Sequence, residues 1–402
     1  MSDIKTRAIF YAYSNNALDQ LAPYVILCNQ KKIDCVVIYG DDFIKHKVKP
    51  KKEIVKILQN ENINTLDVSS FELKGFLHVI FSYLWSFTKV VEKNTYAPFF
   101  LIMKLKGLCD KMYKYIDGDL IGKNLALKLS KDCDKFIVFT DNWNTTKKIQ
   151  NSFLSYCKNK GKIVSVRHYV YHFHAPQNDT DENNCEDIAI LGNKWEAENK
   201  DHIKSKELIG NLRFSKKWLE ILDKYSKDTF SEDNKKKNVL IISHSQYHTR
   251  DWKRALKLFD QLVKRKDINL KIIPHVRGMS NFRPPKELIE AWDKTTPLNI
   301  SIKKSDIVIF WVSSAFFEAV VRNKKILYLG FLSTLDDKFI WKKNAPSNIL
   351  IESESELHYE IDNYKKDNKY ELENSCFKEL IWPNGDPWKN ASDLLNNILK
   401  QD

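Results

Sequence analysis

Short apolar runs alternate with helical stretches along the whole chain. Ala8 to Tyr13 is an apolar run of strand length, and Leu18 to Cys28 has helical periodicity. Asp34 to Tyr39 predicts a second strand, ending in the turn Gly40-Asp41-Asp42. Lys51 to Asn60 follows as a helix and Thr65 to Val68 as a short strand. Beyond a helical stretch, Lys135 to Thr140 is an apolar strand that ends at Asp141. Thr145 to Tyr156 predicts a helix, Lys162 to Val166 a strand, and Asp187 to Leu191 the strand that closes the series. Uninterrupted apolar strands between helices predict a parallel sheet covered on both faces; a sheet wet on one side would alternate polar and apolar positions.

Residues 225–237 break the pattern, being polar, charged and without periodicity, and read as a linker or exposed loop. The alternation then restarts: strand Val239 to Ser243, helix Trp252 to Lys264, strand Leu270 to Pro274, helix Pro285 to Trp292 and strand Ile307 to Val312. A helix carrying Glu318, a basic turn from Arg322 to Lys325 and strand Ile326 to Leu329 complete it. A chain of 402 residues exceeds what one ordinary core organises. The expectation is an α/β chain of two Rossmann-like parallel-sheet domains facing a central cleft, residues 1–224 and 238–402, with the last helix free to pack back on the first domain. Ligands of such sheets sit at the carboxyl ends of the strands.

Composition narrows the class. With 43% hydrophobic and 29% charged residues the chain is globular. No run reaches the ~18–20 apolar residues of a spanning helix, and the polar start at Ser2-Asp3 lacks a secretory leader pattern. Seven scattered cysteines without a C-x-x-C pair predict reduced thiols in a cytoplasmic protein and no zinc site. The net charge of +13 suits nucleic acid, an anionic membrane or an anionic substrate. The lysines are spread and no nucleic-acid motif is present, so no nucleic-acid partner is expected. Residues 75–114 stand apart: Gly75 to Thr88 carries no formal charge, Tyr96 to Met103 is apolar, and Lys104, Lys106, Lys111 and Lys114 follow. They read either as a segment lying on an anionic membrane surface or as a pair of buried core helices.

The carboxyl ends of the second-domain strands are polar. His244 follows Ser243, His275 and Arg277 follow Pro274, and Ser313 and Ser314 follow Val312. Cations and helix-start N–H groups on three successive strand ends suit a phosphate. Glu318, one turn into the helix, suits a sugar hydroxyl such as that of a ribose. The plainer reading makes Ser313-Ser314 an ordinary helix cap. In the first domain His168, His172 and His174 follow strand Lys162 to Val166, and Asp141 ends the neighbouring one; these are the candidate proton acceptors. Histidines two apart share a side only in an extended chain, so a metal site is not expected there.

Several segments resemble a family. Gly210-Asn211-Leu212-Arg213-Phe214 resembles the Gly-Asn-Pro-Arg-Phe-Asp segment of bacterial surface-carbohydrate transferases, and Pro274-His275 their His-Pro motif. Ser305 to Leu329 resembles their Ser-Asp…Ser-Ser…Glu-Ala…Gly-Lys-Pro segment, and Asn384-Gly385-Asp386 their C-terminal Asp-Gly segment. That clan holds Kdo and sialic-acid-type transferases, CDP-glycerol glycerophosphotransferases and, more distantly, UDP-N-acetylglucosamine 2-epimerases. Leu212 stands for the family's proline, the His-Pro order is inverted, and Asn323-Lys324-Lys325 replaces Gly-Lys-Pro. The resemblance implies a GT-B fold and a metal-independent glycosyltransferase. His275 would touch the donor phosphate beside His244 and Arg277, Ser313 and Ser314 would bind it, and Glu318 would hold the ribose. The donor implied is a nucleotide sugar, CMP-linked by preference, with no further cofactor. The acceptor implied is a capsule or lipopolysaccharide glycan or glycolipid, reached from the cytoplasmic face of the plasma membrane. Two other readings remain: a polyol-phosphate transferase using CDP-glycerol, and a non-catalytic interaction protein that keeps the fold.

Overall fold

The computed structural model describes residues 6–40, 43, 49–68, 83–84, 86–88, 91, 101, 104–105, 107–109, 118–131, 133–141, 148–166, 186–194, 205–226, 235–243, 249–274, 283–334, 349–366, 370 and 375–400. They fall into two compact units. One is built from residues before Phe214 together with Pro387–Asp402, the other from Phe214–Asp386.

In the first unit β1 (Thr6–Ala12), β2 (Asp34–Tyr39), β3 (Asn64–Asp67), β4 (Lys135–Thr140), β5 (Gly161–Val166), β6 (Ile188–Leu191) and β7 (Lys206–Leu208) make one sheet in the order β3-β2-β1-β4-β5-β6-β7. Every pairing is parallel. Helices α1 (Asn15–Gln30), α2 (Lys52–Asn60), α3 (Gly118–Leu129) and α4 (Lys148–Lys158) lie between the strands in the chain. Ser14 starts α1 by accepting the Ala17 N–H at 3.2 Å, which satisfies one of the helix's orphan donors. The central pair β1–β4 is locked by its side chains: Phe10 and Phe139 face each other in register and stack at 4.7 Å. Gly161 opens β5 because a Cβ there would stand 2.3 Å from the Phe136 carbonyl oxygen.

In the second unit β8 (Lys237–Ser243), β9 (Ile268–Pro274), β10 (Ile307–Phe310), β11 (Lys325–Leu329) and β12 (Leu350–Ile351) form a parallel sheet in the order β12-β11-β10-β8-β9. Its helices are α5 (Lys216–Tyr225), α6 (Trp252–Val263), α7 (Leu298–Lys304), α8 (Phe316–Val321), α9 (Glu354–Asp362) and α10 (Ser375–Ile381). The last helix, α11 (Pro387–Lys400), belongs to the first unit: Lys31 donates to Asn396 at 2.7 Å, and Asn390 reaches the Ile209 carbonyl at 3.5 Å.

Each sheet reverses its strand order once, between β1 and β4 in the first and between β8 and β10 in the second. Crevices at the carboxyl ends of such reversals are where open α/β sheets bind ligands.

Two sequence expectations are corrected. Pro285 to Trp292 is not an α-helix but a 3-10 turn at Lys286–Leu288. Its end serves the edge of the sheet instead: Trp292 bridges Ile272 of β9, with Ile272 N–H donating to the Ala291 carbonyl at 2.7 Å. An unpaired edge strand needs such a partner, and that need outweighs the helical spacing of Leu288, Ala291 and Trp292. The strand expected to run to Val312 stops at Phe310, for a reason found in the candidate site.

Candidate functional site

The end of β10 turns sharply. Val312 sits at φ +50, a left-handed conformation that costs a side-chain-bearing residue about 1–2 kcal/mol and is rarer still for a β-branched one. Its neighbours hold it there. Trp311 is fully buried and its indole N–H donates to Thr249 Oγ1 at 3.0 Å. Phe310 at the strand's end stacks on Phe316 at the start of α8, with centroids 4.4 Å apart and planes within 5°. Stacking the last strand residue on the first helical one leaves only a short connection between them, and Val312 takes the strain. Thr249 pairs in turn with Ser333, and Arg250 N–H donates to the Leu332 carbonyl at 2.9 Å. The segments after β8, β10 and β11 are thereby tied together.

Ser313 and Ser314 lie in this connection and are half-exposed. They are not the helix cap that the plainer reading makes them. The cap position is Ala315, with no side-chain bond. The Phe317 and Glu318 N–H groups turn back to the Ser314 and Ala315 carbonyls, both at 3.1 Å. The helix therefore starts from a backbone turn, and its capping does not draw on the serine hydroxyls.

Glu318 is buried, and a polar network accounts for it. Arg322, four residues on, donates through Nε to Glu318 Oε1 at 3.0 Å. The same guanidinium forks onto Asp223 of α5 at 3.0 and 2.7 Å. Lys303 and Asn299 of α7 also reach Asp223, at 3.2 and 3.1 Å. Burial pushes the Arg322 pKa down, but Glu318 and Asp223 outweigh it and hold the guanidinium above its ordinary value. One arginine thus orients the carboxylate and ties α8 to α5, and Asp223 brings in α7.

In the first unit Asp141 follows β4 at the strand reversal and has no exposed surface. Thr140 and Ser165, opposite each other in β4 and β5, are also fully buried. Gln150 of α4 donates to Thr140 Oγ1 at 2.7 Å. The crevice is polar but lies inside the unit.

Of the residues singled out in the sequence, the structure places Asp141 at one strand reversal and Ser313, Ser314 and Glu318 at the other. His168, His172, His174, His244, His275 and Arg277 lie outside the described residues. Strands β9, β8 and β10, which precede three of these groups, are adjacent in the sheet. Val312, Thr249, Arg322 and Asp223 escaped the sequence reading. The Glu318–Arg322 spacing of four was visible as a helical pair, whereas nothing in the sequence linked either to Asp223. Among the described residues no group of His, Cys, Asp and Glu is arranged to hold a metal ion, and no helix is long and apolar enough to cross a membrane.

No family model and no curated protein matches the chain. Solved structures do match over nearly its whole length. TcCGT1, solved in complex with UDP, superposes with a TM-score of 0.55 at 10% identity and covers 100% of both chains. Arabidopsis thaliana UGT89C1, solved with quercetin, gives 0.53 at 11% identity over 98% of both chains. A Listeria monocytogenes protein assigned as a UDP-N-acetylglucosamine 2-epimerase gives 0.53 at 13% identity, over 98% of this chain and 95% of its own. At such identities the likeness speaks for the fold, and it agrees with the two strand orders: the chain has a GT-B-like α/β fold of two Rossmann-like parallel-sheet units.

Proposed function

We propose that the protein is a glycosyltransferase that takes a nucleotide sugar. One observation carries the reading: a strained, half-exposed Ser313-Ser314 turn sits at the strand reversal of the second sheet, where phosphates bind in such folds. The same-fold protein TcCGT1 holds UDP, which favours a nucleotide there. In this reading the two serines and the backbone of the turn take the donor phosphate, with His244, His275 and Arg277 neutralising the charge that develops as it leaves. Glu318, oriented by Arg322, accepts the ribose hydroxyls.

Deprotonating the acceptor needs a group that the acceptor can reach. Asp141 has no exposed surface, so we give it a holding role and give the proton to His168, His172 or His174, which follow β5 in the sequence. The acceptor is a cell-surface glycan or its lipid-linked precursor, and the enzyme works in the cytoplasm at the inner face of the plasma membrane. The donor is CMP-linked by the family resemblance.

A thermal-shift panel with CMP, CDP, UDP and GDP tests the nucleotide, since a ligand at 100 times its Kd stabilises by about 2.7 kcal/mol. A shift with one nucleotide, lost in the Ser313→Ala/Ser314→Ala variant, supports the site. No shift with any of the four sinks it. Product mass separates sugar transfer from the CDP-glycerol alternative, which adds a phosphate-bearing unit.

A further inference from the structure

The segment between Trp292 and α7 is built around one carboxylate. Trp292 joins β9 in parallel at Ile272, and the Asp293 N–H donates to the Ile272 carbonyl at 2.9 Å. The chain beyond it therefore emerges toward the carboxyl ends of the sheet. Asp293 Oδ1 accepts the Thr295 N–H at 2.8 Å, the Thr295 hydroxyl at 2.9 Å and the Thr296 N–H at 3.0 Å. Its Oδ2 accepts the Thr296 hydroxyl at 2.5 Å and the Lys271 ammonium of β9 at 3.1 Å. Burial pushes the Asp293 carboxyl up, but these partners outweigh it and hold the group well below the ordinary carboxylate range. Asp293 is thus ionised at neutral pH.

An ionised carboxylate has no proton to give, so in both hydroxyl contacts the threonine is the donor. A hydroxyl ordinarily turns to suit its neighbour, as donor or as acceptor. Here the Thr295 proton is committed to Asp293, and Oγ1 has lone pairs left to offer. Thr295 is exposed, so it presents outward an acceptor of fixed polarity. The segment is also joined to the candidate ribose carboxylate. Pro297 leads directly into α7, whose Asn299 donates to Asp223 at 3.1 Å, and Arg322 grips both Asp223 and Glu318. A nucleotide whose ribose lies at Glu318 carries its base on that ribose, within the same part of the unit. We propose that Thr295, polarised by Asp293, accepts a hydrogen bond from an exocyclic amino group of the donor's base, and so selects a base that carries one over uracil. Cytosine presents an N4 amino donor where uracil presents an oxygen acceptor. Against uracil, Thr295 Oγ1 would meet a second acceptor, and both would go unpaired. This role rests on the nucleotide-sugar reading above and supplies its base.

Calorimetric titration of the full-length protein with the mono- and diphosphates of cytidine, guanosine and uridine tests it. Within each set the ribose and phosphates are constant and the base alone varies. The cytidine or guanosine nucleotide should bind at least about tenfold tighter than the uridine one, as one hydrogen bond gained against one clash of acceptors. A cytidine preference assigns the amino group to cytosine, and a guanosine preference to guanine. Thr295→Val keeps the shape and removes the acceptor. It should shrink the gap to about threefold or less by weakening the preferred nucleotide, with uridine nucleotides nearly unchanged. Thr295→Ser keeps the hydroxyl and should keep the gap. The position is exposed, so neither variant removes a core residue. Uridine nucleotides that bind as tightly as the others, or a gap that survives in Thr295→Val, overturn the role of Thr295 and leave the nucleotide site standing. Binding of none of the six overturns both.

Discussion

The two strand reversals obey one topological rule and end in opposite environments. In the first sheet the polar groups at the reversal, Thr140, Asp141, Ser165 and Gln150, have no solvent exposure. In the second the corresponding turn keeps Ser313 and Ser314 half-exposed, and its strain falls on Val312. Topology fixes where a crevice forms, while the side chains on either side of the turn decide whether it opens. Around Asp141 a hydrogen bond from α4 closes the floor. Beyond β10 the aromatic stack of Phe310 on Phe316 holds the turn up and outward. The first reversal is built to hold a group in place and the second to present one.

The strongest way to break the second arrangement is to remove its hub. Arg322→Ala leaves buried Glu318 without its cation and Asp223 with Lys303 alone, and should cost about 3 kcal/mol in urea denaturation. In the first unit Gln150→Ala removes its neutral bond to Thr140 and should cost less, about 1–2 kcal/mol. A comparable loss from both would dissolve the contrast. Next in size is the division of labour. Asp141→Asn should lower kcat by up to about 10²-fold through lost positioning, without changing nucleotide affinity, whereas Ser313→Ala/Ser314→Ala should weaken nucleotide binding about tenfold. Equal effects on both parameters by either variant would contradict separate roles. Val312→Gly should change stability by no more than about 1 kcal/mol, because relief of the positive φ is offset by the loss of the valine's packing on the core and by glycine's chain entropy, and should weaken nucleotide binding by loosening the turn.

The last effect concerns pH and the first unit. Burial, with a lesser push from Cys133, raises the Cys157 thiol from 9.0 to about 12. The fold therefore favours the protonated thiol. Its contribution is complete below pH 9 and falls as pH rises toward 12, by about 1.4 kcal/mol per unit. Denaturant midpoints between pH 8 and 10 should fall, and Cys157→Ala should flatten the slope. An unchanged slope in that variant would rule out this thiol as the source.

Much of the sheet was legible in the sequence. Asp34–Tyr39 and Lys135–Thr140 begin and end where their apolar runs do, because a strand buried on both faces leaves little choice of residue. Three-residue β7 and seven-residue α7 carry too few positions for a period to show. At the site, Ser313, Ser314 and Glu318 were readable as residue types at a strand–helix junction. The positive φ of Val312 was not, because it arises from the meeting of Phe310 and Phe316 rather than from any local preference. Arg322 was readable only as the start of a basic turn, and its partial burial depends on Asp223 in α5, a helix that precedes the whole second sheet.

The chain leaves the first unit after Arg213 and returns to it at Pro387 with α11. A ribosome would therefore release the strands and early helices of the first unit long before the helix that covers part of α1. Lys31 and the Ile209 carbonyl would wait for Asn396 and Asn390 until the second unit had emerged. The closing of the first unit's surface is thus timed by the making of the second.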